Sequence, residues 1–383
     1  MALQMQNVAI GWLVYDISQD PLALGIVGLV AFLPAVGLAL VTGHVADRFD
    51  RRSILLISYA TLAAVAAALF ACVHFDLREV WPIYVLTFLV GTTRAFANPA
   101  SQALVPSLVP SEHLGNAIAW NSTAWQTATI AGPAIGGLLY ALGATVVFGA
   151  AAAFFLLVFC CYLALGYRSV KRPAEKATFE VLVAGFRFIR SKPVILGAIS
   201  LDLFAVLLGG ATALLPIFAR DILMVGPWGL GLLRSAPAVG ASCTALLLAW
   251  WPLERKSGRR MFEAVGLFGL ATIGFGLSQN LWLSLFFLFV LGASDMVSVF
   301  VRQTLVQMET PDAMRGRVSA VNSVFIGASN ELGEFESGAL AAAIGTVPTV
   351  VLGGVGTLAV AGIWAWKFPA LRRRDRLVEP PPA

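Results

Sequence analysis

Apolar residues along this chain gather in unbroken runs separated by short polar turns, rather than alternating with a period of two or keeping to one helical face. A helix that crosses a bilayer needs roughly 20 mostly apolar residues and satisfies its backbone hydrogen bonds within itself. Twelve runs fit: Leu3–Ile17, Leu22–Val45, Ser53–Phe75, Trp81–Ala103, Ala117–Leu142, Ala144–Tyr167, Val194–Phe218, Trp228–Trp251, Met261–Leu277, Leu281–Val301, Val318–Ala343 and Val347–Trp366. The first is short, begins directly after Met1 and reads as a truncated span. Continuous runs rich in Ala, Leu and Gly suit helices packed through small residues and exclude a strand barrel. The predicted fold is an all-α membrane protein of twelve spans.

Composition agrees. Of 383 residues, 58% are hydrophobic and 12% charged, and the mean hydropathy is +0.83. A soluble domain carries about a quarter charged residues, so an ordinary soluble enzyme is excluded. The net charge of +5 is explained by where the cations lie. Of 26 Lys and Arg, 21 fall in the C-terminal tail and the turns after the second, sixth, eighth and tenth spans, against Arg78 and Arg220 in the opposite turns. The positive-inside rule places that basic side and the C-terminus in the cytoplasm. The charge is therefore a topology signal, and no nucleic-acid partner is expected. Nothing at the start has the form of a signal peptide. Cys72, Cys160, Cys161 and Cys243 lie inside apolar runs without metal-site spacing, so neither metal nor cofactor is expected.

The chain repeats itself at a constant offset of 201: Gly91 with Gly292, Gln102 with Gln303, Pro110 with Pro311, Gly115 with Gly316, Asn121 with Asn322, Ser122 with Ser323, Gly132 with Gly333 and Gly137 with Gly338. Two six-helix halves follow, residues 1–167 and 194–368, joined by a cytoplasmic connection, 168–193, and followed by a tail, 369–383. In the connection Phe179, Leu182, Val183, Phe186 and Ile189 recur at helical spacing and would let it lie on the inner membrane surface. Parallel six-span repeats are an architecture in which a substrate site forms between the halves near the bilayer midplane.

Motifs narrow the reading. The turn after the second span, Gly43 to Arg52, contains Asp47, Arg48, Arg51 and Arg52. On its own it is a tight basic turn, but it resembles the G-x-x-x-D-R-x-G-R-R signature of the major facilitator superfamily, with Asp50 in place of the second glycine. The resemblance implies a transporter in which this turn is a gate: Asp47, Arg48 and Arg52 form a charge latch that stabilises the outward-facing state, and Gly43 permits close helix approach. In the fifth span Gly132, Pro133, Gly136 and Gly137 make a small-residue face with a proline kink. They are similar to the G-P-x-x-G-G motif of the family's proton-coupled exporters, with Ala128 where that motif has a further glycine. Gln6–Ala9, Gly11–Tyr15, Arg315–Val318 and Asn330–Gly338 look like the branch that includes the bacterial enterobactin exporter. The resemblance covers the chain from its first span to its last and implies residence in the bacterial cytoplasmic membrane.

Charges inside spans cost roughly 2.5–3.5 kcal/mol each at a helix centre, so each needs a partner or a wet cavity. Arg94, Asp202, Arg234, Asp295, Arg302, Glu331, Glu334 and Glu336 are so placed. Arg94 and Asp295 differ by the repeat offset, which predicts equal depth on symmetry-related helices. In the fold that the resemblance implies, the first, fourth, seventh and tenth spans line the cavity, making Arg94, Asp202 and Asp295 candidates for substrate or proton coupling. Glu331 and Glu334, three apart, share a helical face and are further candidate proton carriers, unless Arg234 neutralises them; Glu336 is turned away. His44, His74 and His113 lie at span ends, where a solvated role is expected.

The resulting expectation is a proton-coupled exporter of a small amphipathic or aromatic molecule. The rivals are a symporter importing a solute or lysophospholipid, and a non-transporting membrane sensor. A membrane enzyme is disfavoured, because no H-E-x-x-H, G-x-S-x-G or P-loop motif occurs. The cation split makes a direct prediction. Reporter fusions after Arg52, Lys192, Arg260 and Arg374 report the cytoplasm, and those near Asp20, Asp76 and Gln279 the outside; reversal at two sites breaks the span assignment.

Overall fold

The computed structural model describes residues 1–38, 41–42, 45, 49–166, 179–253 and 255–375. The described residues contain no strand, and each of the twelve predicted spans overlaps a helix, the second running past Gly37 into residues only partly described and the seventh past Gly209. The helices are α1 (Ala2–Ser18), α2 (Pro21–Gly37), α3 (Arg51–His74), α4 (Trp81–Leu108), α5 (Leu114–Leu142), α6 (Ala144–Ala164), α7 (Phe179–Ser191), α8 (Pro193–Gly209), α9 (Gly226–Trp250), α10 (Ser257–Leu277), α11 (Leu281–Glu309), α12 (Asp312–Ile344), α13 (Thr346–Lys367) and the short α14 (Pro369–Arg372). Their ends follow from local chemistry. Asp20 accepts from the Leu22 amide at 2.9 Å ahead of Pro21, and Asn280 caps α11 by accepting from Trp282 at 2.9 Å. Gly143 (φ 139°) and Gly345 (φ 92°) separate α5 from α6 and α12 from α13 in a backbone conformation that favours glycine.

Among the described residues, seven helical stretches are long and apolar enough to cross a membrane: α3, α6, Pro193–Ile222, α9, α10, α11 and α13. The predicted spans outside that set are short or polar. Helices α1 and α2 have 17 residues each. Arg94 interrupts α4, Asn121, Ser122, Thr123 and Gln126 crowd α5, and three glutamates interrupt α12. Such side chains are costly against lipid, so α4, α5 and α12 are the helices whose sequences call for a wetter neighbour.

The chain forms two compact units: Met1–Thr178 with Phe218–Ser235, and Phe179–Ile217 with Ala236–Ala383. In the first, α3 packs on α4 and α6, α2 on α4, and α1 on α5 and α6. Leu55, Leu69, Ile83, Val147 and Phe148 are buried there. Residues 218–235 join this unit by specific contacts. Arg220 pairs with Asp16 at 2.9 Å and lies 5.7 Å over the Tyr15 ring, while the Tyr15 hydroxyl donates to Asp221. The Ser235 hydroxyl donates to the Ile130 carbonyl at 2.7 Å, one turn before Pro133.

In the second unit α10 packs on α11 and α13, and α8 on α12 and α13. The amphipathic helix α7 is docked on α12. Ile189 is buried against Val318 and Val321, and a Cβ on Gly185 would meet the Arg317 carbonyl. After Gly209 the seventh span passes into 3-10 and then π turns. Its loosened backbone is met by side chains: the Ser337 hydroxyl donates to the Gly210 carbonyl at 3.0 Å, and the buried Thr357 hydroxyl to the Ala205 carbonyl at 3.0 Å. A broken helix survives at membrane depth only where such partners exist.

The repeat has a packing cause. A Cβ on Gly91 would strike the Ala31 backbone of α2, and one on its offset mate Gly292 would strike the Pro237 backbone of α9. Each glycine lets two backbones approach within its own unit. Gly292→Val is therefore expected to destabilise the protein by about 1–3 kcal/mol, as overpacking does. Melting in detergent checks this against Gly362→Val, since Gly362 has open space around it.

Candidate functional site

The second unit holds a charge cluster inside its apolar spans. Asp202 on α8 is 6% exposed and Arg302 on α11 is 2% exposed. The Arg302 Nη2 lies 3.3 Å from the Asp202 Oδ2, and its Nη1 donates to the Asn322 Oδ1 at 2.9 Å, drawing α12 into the cluster. Asp295, seven residues before Arg302, lies on the same face of α11, as does Ser298. Asp202, Asp295, Ser294 and Ser298 line a cavity of about 10 Å³, large enough for about one water molecule. The Ser298 hydroxyl and the Arg302 Nε are buried with no protein partner among the described residues.

The charges do not balance. Two carboxylates share one guanidinium; Asp202 holds it directly, and Asp295 has no ion pair of its own among the described residues but feels both neighbours electrostatically. Binding a proton or another cation at the second acid would cancel the surplus negative charge, which in an apolar surrounding is a strong incentive. Asp202 and Asp295 were legible in the sequence as isolated charges, but their assembly was not. Arg302, Asn322 and Ser298 were missed as site residues, although the spacing of 295, 298 and 302 on one helical face was a usable signal.

Of the other predicted residues, Glu334 accepts from the Thr212 hydroxyl at 3.5 Å, beside the break in the seventh span, and Glu331 lies one turn earlier, half-buried. Arg234 belongs to the first unit, whereas both glutamates belong to the second. Arg94 is half-buried in the first unit and makes no ion pair among the described residues. His74 stacks on Phe70, with ring centroids 5.8 Å apart. Gly132 and Gly136 face Gln4 and Met5 of α1, and Gly137 faces Pro227 and Gly231, so the small-residue motif is where α5 meets α1 and the start of α9. Among the described residues no group of three metal-ligating side chains occurs.

At the basic turn, Gly43, Asp47 and Arg48 lie outside the described residues. The described remainder acts on helix ends. Arg52 donates to the carbonyls of Tyr162 at 2.8 Å and Leu163 at 2.7 Å, at the C-terminus of α6, where a cation also meets the negative end of the helix dipole. Arg51 donates to the Ala103 carbonyl at 2.8 Å. Asp50, which replaces a motif glycine, caps α3 by accepting from the Ser53 amide at 3.0 Å.

The buried pair makes a stability prediction. Arg302→Met leaves Asp202 unpaired in an apolar site and is expected to cost about 3–5 kcal/mol, whereas Asp202→Leu combined with Arg302→Met recovers most of that loss. Melting temperature and folded yield in detergent measure both.

Comparison with known proteins agrees with this architecture. The profile of the family described as transmembrane secretion effector, a major facilitator family, matches residues 1–378. Enterobactin exporters of Shigella boydii serotype 18 and Escherichia coli O81 are each 28% identical over 349 residues, covering 88% of this chain and 81% of theirs. Among solved structures, a POT family transporter in complex with a thioalcohol-conjugated peptide has a TM-score of 0.75 at 13% identity, covering 97% of this chain and 93% of that one. An inward-facing, occupied bacterial homologue of the human lysosomal transporter Spinster has a TM-score of 0.72 at 13% identity, with 97% of both chains covered. At such identities the structures speak for the fold alone. A chain whose spans, repeat and family profile all agree in this way belongs to the transmembrane secretion effector family of the major facilitator superfamily, and is a multi-pass membrane transporter of small molecules.

Proposed function

We propose that this transporter exports a small amphipathic or aromatic molecule across the bacterial cytoplasmic membrane, driven by protons returning inward through acids on its spans. The observation that carries the reading is Asp295, a carboxylate on a spanning helix, without its own ion pair among the described residues, beside the Asp202–Arg302 pair. When Asp295 holds a proton the cluster is neutral and the surrounding spans close on it at little cost. When the proton leaves, the surplus charge favours a conformation in which water reaches the acid. Alternation between the two couples proton movement to the transport cycle.

In this reading residues 1–167 and 194–368 are the halves that move, 168–193 connects them, and 369–383 is a cytoplasmic tail. Gly43, Asp47, Arg48 and Arg52 gate the cytoplasmic side, with Arg52 already tied to the end of α6. Gly132, Pro133, Gly136 and Gly137 carry the antiport-type motif. Arg94, Glu331 and Glu334 serve substrate or proton steps. The name of the relatives, enterobactin exporter, supports export and a small-molecule cargo of that class.

Proteoliposomes test the coupling, with enterobactin as the first probe and a cationic aromatic dye as the second. Asp295→Asn is expected to lose at least about tenfold in flux driven by a pH gradient while keeping counterflow without a gradient, as removal of a proton carrier requires. Full gradient-driven flux in Asp295→Asn overturns the assignment of coupling to this residue.

A further inference from the structure

Two of the basic turns, those after the second and eighth spans, start their following helices differently. In the first unit α3 is capped from within the turn, by Asp50. In the second unit the residue before α10 is Lys256, in the left-handed region at φ 55°, with no side-chain cap of its own. The first amides of that helix are instead met by the C-terminal tail. The Lys256 amide donates to the Asp375 Oδ1 at 3.0 Å, the Ser257 amide to the Asp375 carbonyl at 3.1 Å, and the Gly258 amide to the Arg374 carbonyl at 3.0 Å. Ser257 is fully buried under this segment, and a Cβ on Gly258 would strike the Leu371 carbonyl.

The tail is fixed at two more points. Arg374 pairs with Glu309, the last residue of α11, at 3.2 Å. Leu371 is fully buried, in the same apolar cluster as Leu201 and Val301. These are the chain neighbours of Asp202 and Arg302. Phe368 packs on the same cluster and lies against Gly197 on α8. The segment 368–375 therefore touches the two helices that supply the buried pair, and the cytoplasmic end of a third.

We propose that residues 368–375 are a positioning clamp for the Asp202–Asp295–Arg302 cluster: Asp375 and Arg374 hold the tail on α10 and α11, and Leu371 supports the apolar floor on which Asp202 and Arg302 are set. Asp375 is thus a positioning residue that acts through packing and touches neither cargo nor proton. The role rests on the reading of that cluster as the working site.

The test needs no cargo. In the 383-residue protein with its four native cysteines replaced, Ser298→Cys places a thiol at the cavity beside Asp295, and its labelling by N-ethylmaleimide is timed in nanodiscs. A cysteine at Ala151, fully buried in the first unit, reports general loosening. Asp375→Ala, and separately a chain ending at Arg372, are expected to raise the Ser298→Cys rate roughly five- to tenfold, the scale of a lost helix cap, with the Ala151→Cys rate unchanged. Asp375→Asn keeps an acceptor oxygen for the Lys256 amide and is expected to restore the slow rate. Hydrogen exchange of peptides spanning 198–205 and 298–305, in chains with Ser298 intact, gives the same comparison should the Ser298→Cys protein fold poorly. An unchanged rate in the truncated chain, or an equal rise at both thiols, overturns the proposal. Failure of Asp295→Asn to affect gradient-driven flux would remove the coupling assignment while leaving this labelling result to stand or fall separately.

Discussion

A guanidinium sealed inside an apolar bundle is the constraint around which the second unit is organised. Arg302 cannot shed its charge, and lipid offers it nothing, so every neighbour has to answer for it. Asp202 supplies the opposite charge, Asn322 a carbonyl oxygen, and α8, α11 and α12 are thereby bound to one point. Once those three helices are fixed, Asp295 is left as a second acid beside a guanidinium that Asp202 already holds. A local imbalance of one charge is thus built into the packing that holds the unit together.

Small residues supply the other half of the account. Hydrophobic burial does little to draw helices together within a bilayer, so contact depends on close backbone approach and on stray hydroxyls that meet exposed carbonyls. Gly91 and Gly292 permit that approach in their respective units, and Ser235, Ser337 and Thr357 provide the hydroxyls. The break after Gly209 is tolerated because α12 and α13 satisfy the carbonyls on either side of it.

Much of this was legible in the sequence, for reasons that can be named. Spans announce themselves because lipid demands long apolar runs, and the described helices are consistent with the twelve runs, seven of them long and apolar enough to cross a membrane. Charges inside the spans are equally conspicuous, so Asp202 and Asp295 stood out. Their partner did not, because α8 and α11 lie about a hundred residues apart in the chain and nothing local records which helices touch. The role of Asp375 was still less visible. A carboxylate in a polar tail has no apolar contrast to mark it, and its task is set by an α10 start that lacks a cap. At the basic turn, resemblance assigns Arg52 to a latch, while its described bonds run to the end of α6, a contact that nothing local in the sequence records.

The contacts of residues 218–235 have a consequence for how the chain can be divided. By sequence this stretch lies in the second half, yet Arg220, Asp221 and Ser235 are bonded to Asp16, Tyr15 and Ile130 in the first compact unit. Two separately made fragments, cut in the connection near residue 178, would not be self-sufficient: the first would lack helical surface that covers its own α1 and α5, and the second would carry that surface with nothing to bury it against. Such fragments have a built-in reason to find one another, by complementation of a core that neither contains whole.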